Sequence, residues 1–127
     1  MILGIGIDTI EIERFAAWQY YSRKKLSRIF SPQEIDYCLE KPNKGAERFA
    51  VRFAAREALY KALSYAYPHY SFPFLTLCKN IAITKTDNRP YLAIIDDIGV
   101  DCNGLTFHIS LSHTFGYGTA FIIIERQ

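Results

Sequence analysis

RFAVRFAAREALYKAL, residues 48–63, reads as one helix that is apolar almost all round yet carries Glu57 and Lys61. At about 100° per residue, Glu57, Ala50, Lys61 and Ala54 fall on one narrow face. Phe49, Phe53 and Tyr60 lie beside that face, and Val51, Ala55, Ala58, Leu59 and Ala62 lie opposite. Such a helix is mostly buried, and charged groups are costly to bury unless they are paired or bind an ion. Two readings stand: an ordinary i, i+4 ion pair, or a site in which the alanines leave room for a ligand.

Outward from this helix, composition sets the frame. The chain has 127 residues, is 50% hydrophobic and 15% aromatic, and carries a formal charge of +2. That is enough apolar material for one sizeable core, which argues against disorder. The opening MILGIGI is cut short by Asp8 and lacks a basic lead, so neither a signal peptide nor a membrane span is expected. Cys38, Cys78 and Cys102 match no zinc or disulfide pattern and suit a reducing cytoplasm. Ile2 to Ile7 reads as a buried strand in which Gly4 and Gly6 allow close approach to the backbone. Asp8 then ends the run, either as a helix cap or as a ligand for a hard cation.

Between Arg14 and Arg28 all charges are basic: Arg14, Arg23, Lys24, Lys25 and Arg28. On a helix, Arg14, Trp18, Tyr21, Lys25 and Arg28 form a basic and aromatic stripe suited to an acidic protein or to a nucleic-acid backbone. Ser31, Pro32 and Glu34 open the next helix with a capping box, which accounts for Glu34 without chemistry. That helix ends near Glu40, a loop covers residues 41–45, and the central helix begins near Ala46. After Leu63, SYAYPHYSFPFLTL reads as a long aromatic surface connection that a subunit interface would cover. Strands follow at 81–85 and 91–95, joined by a turn from Thr86 to Pro90, and at LTFHISLS and GTAFIIIE. Alternation in HISLSHT places His108, Ser110 and Ser112 on one face, and hydroxyls and imidazoles beside a turn suit phosphate oxygens.

GIGID with Ile12, Glu13 and Arg14, the central RFAVRFAAREALYKAL, and the final HISLSHTFGYGTAFIIIER together resemble the holo-acyl-carrier-protein synthase family of phosphopantetheinyl transferases. The resemblance runs nearly end to end and implies an α+β fold. One compact domain over residues 1–127 would pack its central buried helix on an antiparallel sheet, and the domains would assemble as cytoplasmic homotrimers with active sites between subunits. It further implies transfer of the 4′-phosphopantetheine arm of coenzyme A to a serine of an acidic acyl carrier protein, in support of fatty acid synthesis. By the same resemblance Asp8 and Glu57 hold Mg2+, Lys61 meets the phosphate under attack, and Arg52, Arg56, His113 and Thr114 contact the coenzyme. Arg14, Lys24, Lys25 and Arg28 would engage the carrier, leaving no role for nucleic acid or membrane. Either Glu57 or a metal-held water would take the serine proton. Ser64, Tyr65, Ala66 and Tyr67 stand where relatives carry glycines, so coenzyme contacts there are expected to differ. A binding module for RNA or acidic protein, and a trimer that has lost transfer, are the competing readings; each leaves Asp8, Glu57 and Lys61 together as coincidence.

Overall fold

The computed structural model covers residues 1–127. Strand β1 (Ile2–Glu11) is followed by 3-10 turns at Ile12–Phe15 and Trp18–Tyr20 and by the short helix α1 (Arg23–Leu26). Helices α2 (Pro32–Leu39), α3 (Gly45–Ala66) and α4 (Phe74–Lys79) come next. The hairpin β2 (Ile81–Thr86) and β3 (Arg89–Ile94) precedes the final pair β4 (Leu105–His113) and β5 (Tyr117–Arg126). The main sheet is antiparallel in the order β1-β5-β4, and β2-β3 forms a separate two-stranded sheet. Asp87 and Asn88 make the tight turn of that hairpin, both with positive φ, a geometry that Asp and Asn tolerate.

Helix α3 lies against β1 and β5 on one side and against α2 and α4 on the other. A helix residue rises 1.5 Å and a strand residue about 3.3 Å, so four residues of helix keep pace with two of strand. The sequence uses that match: Gly4 sits under Ala62 and Gly6 under Ala58. A Cβ on Gly6 would lie 2.0 Å from the Ala58 carbonyl oxygen, and one on Gly4 2.3 Å from that of Ala62. Ala50 and Ala54 are also fully buried, so the alanines make room for the sheet; ligand space, one of the two readings the helix pattern left open, is not what they provide.

Three other expectations change. Residues 14–28 form no continuous helix but short turns, and the aromatic members of the expected stripe turn inward. Trp18 packs 4.5 Å from Phe15 and 5.8 Å from both Tyr21 and Phe53, ring centroid to centroid. Helix α3 runs on to Ala66, so Ser64, Tyr65 and Ala66 are its last turn and not part of a loop; without glycines, nothing stops the helix there. The aromatic segment after it folds back onto its own chain. Tyr60 donates a hydrogen bond to the Phe72 carbonyl at 3.0 Å and Tyr70 to that of Ile98 at 2.6 Å, which leaves Leu75 as its large exposed apolar group, beside Tyr65 on the last turn of α3.

Candidate active site

Strand β1 alternates, and its even-numbered residues Gly4, Gly6, Asp8 and Ile10 face α3. Asp8 is thus a carboxylate on the inward face of a strand, in mid-strand, and the cap reading fails because the strand continues to Glu11. Lys61, from the facing helix, donates to Asp8 Oδ1 at 3.0 Å and to the Ile7 carbonyl at 3.1 Å. Glu57, one helical turn before Lys61, completes the group. Burial, then the negative charge of Asp8 and a hydrogen bond shared with it, push the Glu57 carboxyl above its ordinary range against the opposing pull of Lys61 and Arg14. Two carboxyl groups forced together in this way fit a divalent cation, which would relieve their repulsion. Three or more His, Cys, Asp or Glu side chains gather nowhere in the chain; a site of two carboxylates leaves coordination positions for other oxygens.

A second polar site lies on another face of α3. A cavity of about 330 Å³ is lined by Lys44, Arg48, Arg52, Lys85 and His113 around Tyr37. The Tyr37 ring has the Arg48 guanidinium 3.8 Å from its centroid, that of Arg52 at 4.6 Å and the Lys85 ammonium at 4.8 Å. Burial raises the Tyr37 hydroxyl, but a 2.8 Å hydrogen bond from Lys85 and the surrounding cations outweigh it and leave the group more acidic than usual. Arg52 is buried, and its Nε has no hydrogen-bond partner. An anion would satisfy that donor. His113 Nε2 lies 3.2 Å from Glu47 Oε2 at the rim, while Thr114 closes the β4–β5 turn, its Oγ1 accepting from the Tyr117 N–H at 3.3 Å. Lys44, Arg48 and Arg52 follow one another at intervals of four, a signal legible in the sequence but overlooked beside the aromatic pattern. Tyr37 and Lys85 come from other elements and no spacing announces them.

Arg56 is not part of either site. It is fully buried and donates to Glu34 Oε1 at 2.7 Å, Glu34 Oε2 at 2.9 Å, and the carbonyls of Cys78, Arg52 and Ile81. Every guanidinium N–H is used, so the expected coenzyme contact is replaced by a tie between α2, α3 and the start of β2. Glu34 does close its capping box with Ser31, yet the same carboxylate is also the partner of Arg56. Lys24, Lys25 and Arg28 are exposed and join no ion pair, whereas Arg23 is held by Asp36 at 2.8 Å. Arg14 projects from the turn after β1 within electrostatic reach of Glu57.

Comparison with known proteins gives the family. Residues 4–114 match the 4′-phosphopantetheinyl transferase superfamily. A holo-acyl-carrier-protein synthase of Treponema denticola is 35% identical over 129 residues, covering 98% of this chain and 99% of the relative. That of Geobacillus kaustophilus is 38% identical over 128 residues, covering 99% and 91%. The solved holo-acyl-carrier-protein synthase of Bacillus anthracis, in complex with CoA (3′,5′-ADP), superposes with a TM-score of 0.77 at 27% identity, covering 100% of this chain and 99% of that one. With its two carboxylates and lysine set between β1 and α3 and the match extending over nearly its whole length, the chain belongs to the holo-acyl-carrier-protein synthases of the 4′-phosphopantetheinyl transferase superfamily.

Proposed function

We propose that residues 1–127 act as a single transferase domain that moves 4′-phosphopantetheine from coenzyme A to a serine hydroxyl of an acyl carrier protein. The product adenosine 3′,5′-bisphosphate is released, and the modified carrier serves fatty acid synthesis. The observation that carries this reading is the convergence of Asp8, Glu57 and Lys61 from two elements, in a member of this family. Asp8 and Glu57 hold Mg2+, which when bound neutralises charge on the coenzyme diphosphate. Lys61 reaches the phosphoryl oxygens and stabilises the negative charge that develops there. Glu57, or a water held by the metal, takes the serine proton.

Arg52 and His113, together with Lys44, Arg48 and Lys85, form the anchor for a phosphate at the nucleotide end of the coenzyme. Glu57 and Arg52 are separated by five residues, about 140° around α3, so the two halves of the site open in different directions. Homotrimers in which one subunit's carboxylate pair faces its neighbour's cavity bring them together. The outer face of the main sheet supports such assembly, since Ile5, Ile7, Tyr117 and Phe121 are exposed there. Arg14, Lys24, Lys25 and Arg28 dock the acidic carrier. The reaction belongs to the cytoplasm, where Cys38, Cys78 and Cys102 remain free thiols; no helix is long and apolar enough to cross a membrane. Intact mass spectrometry of an apo carrier incubated with the protein, coenzyme A and Mg2+ tests this. A gain of one phosphopantetheine group, lost on chelation, is expected; no gain with several carriers refutes it.

A further inference from the structure

Lys61 already stands where an incoming cation would be felt most strongly. Its ammonium is 3.0 Å from Asp8 Oδ1, and its second hydrogen bond goes to the adjoining Ile7 carbonyl. The two partners differ in freedom: the Asp8 side chain is 12% exposed and set in a strand, while that of Lys61 is 56% exposed on a flexible stem. With Lys61 in place, the two carboxylates and one ammonium present one net negative charge to a dication. With Lys61 withdrawn they present two. The lysine therefore offsets half the charge of the free site and repels the ion that the site is built to take.

Resting on the transferase reading above, we propose that Lys61 is a resident counter-ion that a divalent cation must displace, and that it moves onto a coenzyme phosphate oxygen when it leaves Asp8. Cation and coenzyme then bind cooperatively, because the diphosphate supplies both an acceptor for the displaced ammonium and oxygen ligands for the ion. Binding linkage requires the effect to be mutual: the factor by which coenzyme A raises cation affinity is the factor by which the cation raises coenzyme affinity. Free enzyme holds the cation weakly, and metal enters together with the coenzyme. Neither carboxylate moves in this scheme. Only the long lysine side chain changes partner.

Mn2+ is the probe, its binding followed by electron paramagnetic resonance with and without saturating coenzyme A and with no carrier present, so that no turnover occurs. Lys61→Met is expected to bind Mn2+ alone about 5- to 150-fold more tightly than the parent and to lose most of the coenzyme enhancement. Lys61→Arg, which keeps the charge, is expected to behave as the parent does, separating charge from side-chain volume. Unchanged or weaker Mn2+ binding by Lys61→Met overturns the proposal. If Mn2+ binding disappears in Glu57→Gln but is indifferent to Lys61, the cation pair stands and the coupling alone falls. Absence of Mn2+ binding in every protein, with or without coenzyme, removes both.

Discussion

Arg56 is the residue at which physical chemistry overrules position in the sequence. It precedes Glu57, yet it spends every donor inside the protein on Glu34 and three backbone carbonyls. Removing one member of a fully buried pair strands the other, so Arg56→Met should cost about 3–5 kcal/mol in urea denaturation. Adding Glu34→Gln, which neutralises the stranded carboxylate while keeping its capping oxygen, should recover part of that loss. The thiols give a second prediction at this scale. Burial pushes Cys38 and Cys78 up to about 12, whereas Cys102 is only half-buried and less strongly raised. At pH 8 an aromatic disulfide reagent should therefore modify Cys102 first, and Cys38 and Cys78 only on unfolding, as read by mass spectrometry.

The elements were legible where one local rule decides them. Ser31, Pro32 and Glu34 fixed the start of α2, the apolar run 48–63 lies within α3, and alternation with turn residues located both hairpins. Failure came where a pattern has two physical uses. Alanine beside a charge reads equally as ligand space or as helix–strand contact, and only the glycines of β1, a distant segment, decide between them. The basic stripe kept its cations but not its helix: the segment forms short turns, and Trp18 packs among Phe15, Phe30, Phe49 and Phe53, while Lys25 still covers the Tyr21 ring. Gly6→Ala tests the contact. Its Cβ would meet backbone and not a flexible side-chain end, so a loss of about 1–3 kcal/mol is expected. Because Asp8 lies two residues further along the strand, turnover should fall as well, measured with carrier and coenzyme saturating.

The segment from Arg14 to Arg28 carries only basic charges, with Lys24, Lys25 and Arg28 exposed, and a second group of cations surrounds Tyr37. Arg14→Glu should raise the KM for the carrier far more than that for coenzyme A in steady-state kinetics, since it reverses attraction to an acidic partner. Glu57 and Lys61 were readable together from one helical turn, whereas Asp8 joined them only through the family resemblance, since it lies on a distant strand. Of the cavity, Arg52 and His113 were expected through the resemblance, but Tyr37 and Lys85 were not, because they come from other elements whose packing no single segment encodes. That the cluster and the cavity open from different faces of α3 has a genetic consequence. A Glu57→Gln subunit and an Arg52→Ala subunit each spoil a different half, so each is expected to be inactive alone. Co-expressed in random mixtures of the trimer proposed above, they should regenerate about a quarter of the sites in intact form. Two null alleles of this one gene would then complement each other in the same cell.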